Sequence, residues 1–165
     1  MKVRHRHYLK GREIEQTFQE LNIVFPSFSS DSFRERRIEV ASLDTGADLY
    51  LIDAKPAFLK TEKGIFPTLV NIEILKSVPT ITVDAGAIPH LCNGSALMAP
   101  GIVKTEGRFS KDAIVAVEEV RHGKTIALVK TLIDSGEMVI TKKGRVAMNI
   151  HYVGDKYWNA YKNLT

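Results

Sequence analysis

Glycine punctuation of the second half of the chain is the tightest constraint on its fold. Gly86, Gly94, Gly101, Gly107, Gly123, Gly136 and Gly144 recur too closely to leave room for a long helix. Between them lie short apolar segments, 81–83, 97–103, 113–118, 126–131 and 147–152, each of strand length and each ended by a turn signal. Many short strands with glycine turns predict a small barrel or sandwich. One spacer differs. Residues 86–94 read as a short helix, opened by Gly86, where the backbone can approach a ligand and free N–H groups favour a phosphate, and closed by Gly94 in the left-handed conformation.

The first half has another rhythm. Ile14, Phe18 and Leu21 stand at i, i+4 and i+7, which predicts an amphipathic helix over 12–21, ended by Phe25-Pro26 and a loop over 27–32. Alternation follows, with a strand carrying Ile38 and Val40, a turn at Asp44-Thr45-Gly46, and strands over 49–52 and 57–60. Thr68 is placed to cap a brief helix with Leu69, Ile72 and Leu75 on its apolar face. Pro79 breaks the pattern, and the reading is an α+β protein with one domain over 1–78 and a second over 79–165.

Charge narrows the function class without deciding it. The formal net charge is +4, compatible with a polyanion partner but too small to require one. Basic residues cluster at Lys2, Arg4, Arg6, Lys10 and Arg12, at Arg34, Arg36 and Arg37, and at Lys142, Lys143 and Arg145. No apolar run approaches the roughly 20 residues that span a bilayer, and the charged N-terminus leads into no apolar core, so a cytoplasmic protein is expected. A single cysteine, Cys92, excludes an internal disulfide and reads as a buried thiol.

Catalytic chemistry finds little support. Leu43-Asp44-Thr45-Gly46-Ala47-Asp48 resembles the signature of retroviral-type aspartic proteases, but the accompanying apolar-apolar-Gly strand is missing downstream, and Asp-Thr-Gly is also an ordinary hairpin turn. His5 and His7 have no acidic or sulfur partner nearby to complete a metal site. No phosphate-loop pattern is present. The expectation is a protein that is not an enzyme on its own, with no metal and no cofactor.

Residues 82–101, with Val83-Asp84-Ala85-Gly86-Ala87 and then Gly94 and Met98-Ala99-Pro100-Gly101, resemble a PUA domain, the RNA-binding module named for pseudouridine synthases and archaeosine transglycosylases. Asp112 to Val117 resembles its central strand and Ala147 to Tyr152 its closing one. Gly64-Ile65-Phe66-Pro67-Thr68-Leu69, with Asn149-Ile150-His151-Tyr152, Asp155 and Trp158, extends the resemblance to the malignant T-cell amplified sequence family, which includes the translation machinery-associated proteins. There a small pre-PUA domain precedes a PUA pseudo-barrel, and the lean chain resembles an archaeal form.

The resemblance implies RNA binding in translation, with tRNA or the small ribosomal subunit as ligand and an initiation-factor-like protein as a possible partner. RNA would lie against the first PUA helix, the glycine loop after it and the closing strand, which here are Gly86, Ala87, His90, Asn93, Gly94, Asn149 and His151. Charge adds Lys104, Arg108, Lys142, Lys143 and Arg145 as phosphate contacts. Two departures, the His5-Arg6-His7 run and the Asp44-Thr45-Gly46 motif, leave open a second role as the RNA-binding accessory of a tRNA-modifying enzyme such as archaeosine transglycosylase. The aspartic protease is the third, distant alternative.

Overall fold

The computed structural model describes residues 2–164. They form two compact units: one runs to Ser77 and takes in the chain from Asn159 onward, and the other is Val78–Trp158. The stretch from Asn159, placed in the second domain by the sequence reading, thus groups with the first unit.

The first unit is an antiparallel meander in chain order: β1 (Val3–Tyr8), β2 (Ile38–Leu43), β3 (Asp48–Ile52), β4 (Lys55–Thr61) and β5 (Gly64–Pro67). Helix α1 (Gly11–Val24) outruns its predicted bounds, opening with the Glu13 carboxylate accepting from the Lys10 amide at 3.2 Å. It buries Phe18 and Leu21. Phe28 stacks on Phe33 with centroids 5.1 Å apart and meets Phe58 edge-on at 5.3 Å. Such pairs add about 0.5–1.5 kcal/mol beyond area burial.

Asp44-Thr45-Gly46 is the turn between β2 and β3, with Gly46 at φ 81° and Asp44 exposed. The next hairpin turns on Asp53 and Ala54, both at positive φ, the geometry of a type I′ turn. Short helix α2 (Ile72–Leu75) is capped by Asn71, not Thr68: Asn71 Oδ1 accepts from the Ile74 amide at 3.2 Å. Thr68 is fully buried, its hydroxyl donating to the Pro56 carbonyl at 3.0 Å.

The second unit holds one curled sheet of β6 (Thr80–Val83), β7 (Leu97–Met98), β8 (Ile102–Glu106), β9 (Ile114–Glu119), β10 (Thr125–Thr131) and β11 (Arg145–Tyr152), in the order β7-β11-β10-β9-β6-β8. Its two edge strands, β7 and β8, are joined by the 3₁₀ turn Ala99–Gly101. Across a flat sheet of this order the edges would stand on the order of 24 Å apart, whereas four residue steps reach at most about 14 Å. The sheet must therefore roll up, and the result is the pseudo-barrel of the sequence reading. Pro100 is why the predicted single strand over 97–103 breaks in two.

Inside the roll pack Ile81, Val83, Leu91, Leu97, Val115, Val117, Val129 and Val146. Helix α3 (Ile88–Leu91), α4 (Ser135–Ile140) and α5 (Lys156–Lys162) complete the elements, and the unit boundary falls within α5. Among the described residues no helix is long and apolar enough to cross a membrane.

Candidate nucleic-acid interface

Two local devices set up the first surface. After β6, Asp84 caps a 3₁₀ turn over Ala85–Ala87, its Oδ1 accepting from the Ala87 amide at 3.0 Å, and the chain passes directly into α3. The helix expected over 86–94 is therefore a 3₁₀ turn followed by one α turn. It ends at Gly94, whose φ of 87° is the left-handed conformation expected there. A Cβ at Gly94 would stand 3.1 Å from Tyr152 Cε1. A Cβ at Gly101 would stand 3.1 Å from that of Ala87. Gly101 thus lets the Ala99–Gly101 turn close on the start of α3.

Between these turns and β11 lies an open cavity of about 630 Å³. Gly86, Ala87 and His90 line one side and Arg145 another, with Leu97, Met98 and Pro100 supplying apolar wall. Arg145 and Met98 are partners across the β11–β7 ladder, and the Arg145 Nη1 donates to the Met148 Sδ at 4.0 Å. Arg145, Lys142 and Lys143 are exposed and make no ion pair among the described residues. Asp84, which also lines the cavity, is the one carboxylate there among the described residues.

The remaining candidates disperse. Asn93 and Gly94 lie exposed at the end of α3, outside the cavity lining. Arg108 is exposed on the loop after β8. Lys104 sits on β8, its Nζ donating to Glu106 at 2.8 Å. Burial, with Glu106 nearby, also pushes the Glu118 carboxyl up, so acidic surroundings offset the Lys104 charge. Lys104 and Lys142 share a different hollow, of about 540 Å³.

Two candidates on β11 need correction. His151 is fully buried, and its Nδ1 lies 2.6 Å from Asp155 Oδ2; it cannot touch RNA directly. Asn149 spends its Nδ2 on the carbonyls of Leu91, at 2.9 Å, and Ser95, at 3.1 Å, pinning the end of α3. Its Oδ1 is buried with no hydrogen-bond partner, so Asn149 is a positioning residue. A bulge shifts the β10–β11 register between Leu128 and Val129, opposite this part of β11.

Asp84, Ser95, Met98 and Pro100 line the cavity but were not singled out as contacts. The Asp-x-x-Ala cap pattern at 84–87 was a usable signal for the first. Cys92 is partly buried, and burial pushes its thiol up, the behaviour of a structural cysteine.

Comparison with known proteins gives this geometry a context. Residues 79–153 match the model of the PUA domain, and residues 5–77 match that of a domain of unknown function, DUF1947. An uncharacterized protein of Methanocaldococcus jannaschii is 33% identical over 162 residues, covering 96% of this chain and 98% of that one. Translation machinery-associated protein 20 of Eremothecium gossypii is 25% identical over 158 residues, covering 92% and 85%. A PUA-domain crystal structure from Aeropyrum pernix K1, a tartrate complex, superposes with a TM-score of 0.83 at 24% identity, covering 97% and 92%. At that identity it attests the fold alone.

Proposed function

The chain belongs to the family that joins a DUF1947 domain to a PUA domain and includes translation machinery-associated protein 20, and on that premise we propose that it binds RNA in translation, with tRNA or small-subunit ribosomal RNA as ligand. The observation that carries this reading is the cavity of about 630 Å³ in which Gly86, Ala87 and His90 meet Arg145. Each part has a chemical use there. The Arg145 guanidinium takes a phosphate with charge-assisted hydrogen bonds. Met98 and Leu97 offer apolar contact to a base, and His90 a ring on which one can stack. The free Asp84 oxygen suits the exocyclic amine of a base and opposes a second phosphate, which favours a nucleotide lying with its base inward and its backbone toward Arg145.

Lys143, close to Arg145 in sequence, extends the positive charge along the backbone path, whereas Lys142 lines the separate hollow beside β8. Asn149 acts beneath the surface by holding the end of α3 in place.

Titration of the protein with total tRNA and with small ribosomal subunits at several salt concentrations tests this reading. Binding whose logarithm falls linearly with log salt, weakened by Arg145→Ala and His90→Ala, is the expected result. No binding to either at low salt would overturn it. Co-purification with a transglycosylase in place of ribosomal subunits would move the role to tRNA modification.

A further inference from the structure

The roll of the PUA unit is not closed. Strand β8 pairs with β6 and with no other strand among the described residues. Its other edge faces α4 across the hollow of about 540 Å³, lined by Val103, Lys104 and Thr105 on one side and Val139 and Lys142 on the other. No backbone hydrogen bond joins β8 to α4 among the described residues. A free strand edge is a template for another strand unless it is blunted. At the edge of the first unit's sheet, β1 is blunted by the run Arg4-His5-Arg6-His7. β8 is not: its Lys104 and Glu106 neutralise each other at 2.8 Å.

The surroundings of that edge are apolar. Val103 is 53% exposed, Val139 66% and Ile140 74%. Two of these, Val103 and Val139, line the hollow beside the unpaired strand, and branched side chains left in solvent there mark an interaction surface. Lys142, at its end, has no carboxylate partner among the described residues.

We propose that this seam receives an extended segment of a protein partner, which adds to β8 as a further strand, sets branched apolar side chains against Val103 and Val139, and brings an acidic residue to Lys142. Strand addition draws affinity from main-chain hydrogen bonds and specificity from alternate side chains, and the seam offers both. RNA is the poorer occupant, because Lys104 is already paired and the exposed side chains between the two lysines are aliphatic. The proposal does not depend on RNA binding at the other cavity.

Selection of phage-displayed linear peptides on the full chain, followed by affinity measurement and hydrogen exchange, tests it. Enriched peptides should alternate branched apolar residues, carry an Asp or Glu, and protect the amides of 102–106. Val139→Glu, and separately Val103→Glu, should weaken them about tenfold, the loss of roughly one buried aliphatic contact, while tRNA binding is unchanged. Both side chains are mostly in solvent, and thermal melts confirm that each variant folds. Failure to enrich any sequence, peptides that bind both variants as well as the parent chain, self-association of the chain through this edge, or protection of these amides by RNA alone would each overturn the proposal.

Discussion

The ring of His151 and the carboxylate of Asp155 lie 2.6 Å apart, with the histidine wholly out of solvent. The same carboxylate accepts from the amides of Tyr152, at 3.1 Å, and Trp158, at 2.8 Å, closing the last strand and opening the last helix. Asp155→Ala removes the acceptor shared by the buried His151 ring and two partly buried amides, at about 1–3 kcal/mol each. The expected loss is therefore about 3 kcal/mol or more, read from the midpoint of urea unfolding.

Acid should expose the same carboxylate. Burial alone would raise the Asp155 carboxyl, but the hydrogen bond from His151 and the two amides outweigh it and hold the group below its ordinary range. A depressed folded-state value contributes stability that is present above the unfolded value of about 3.9 and is lost as pH falls through the folded one. The stability difference between the parent chain and Asp155→Asn should thus be constant near neutrality and shrink below about pH 4. Chemical denaturation at several pH values checks this; a gap that widened on acidification would contradict it.

Two turn positions should respond in opposite directions. Ala54 is held at φ 64° in the β3–β4 turn, where glycine carries no Cβ penalty, so Ala54→Gly should stabilise by about 0.5–1 kcal/mol. Gly94→Ala adds a Cβ both at φ 87° and 3.1 Å from the Tyr152 ring, so it should destabilise by about 1–2 kcal/mol. Gly123→Ala, at φ 63° with nothing within 4 Å of the new methyl, isolates the backbone part of that cost.

Among the basic residues the effects on RNA affinity should be unequal. Arg145, on the cavity and with no carboxylate partner among the described residues, should on replacement by alanine lower the slope of log K against log salt by about 1. Lys104→Ala should change that slope little, since Glu106 already balances its charge. Filter binding over a salt series separates the two.

Cys92 should react slowly. Burial raises its thiol and limits access, so alkylation of the folded chain near neutral pH should lag well behind that of the urea-unfolded chain.

Much of the second unit was legible because glycines act locally. The left-handed Gly94 and the strands beyond it each follow from chemistry within a few residues, and the Asp84 cap, not read from the sequence, is equally local. What was not legible depends on distant partners. β1 has no apolar face to announce it, since Val3–Tyr8 is almost wholly exposed, and it becomes a strand by pairing with β2 from far along the chain. β5, α4 and α5 are too short for periodicity to reveal. At the candidate site, Gly86, Ala87 and His90, named from the resemblance, and Arg145, named from charge, line one cavity. His151 and Asn149 turn to partners that a position-by-position reading does not show, Asp155 for the one and the carbonyls of Leu91 and Ser95 for the other.

Pro100 forms part of the wall of both hollows, the one beside Arg145 and the one beside β8. It is a party wall between two tenants. Any change that shifts its ring redraws both rooms at once, so it is the wrong residue with which to assign a phenotype to either. Arg145 and Val139 each furnish one room only, and a genetic dissection of this protein begins with them.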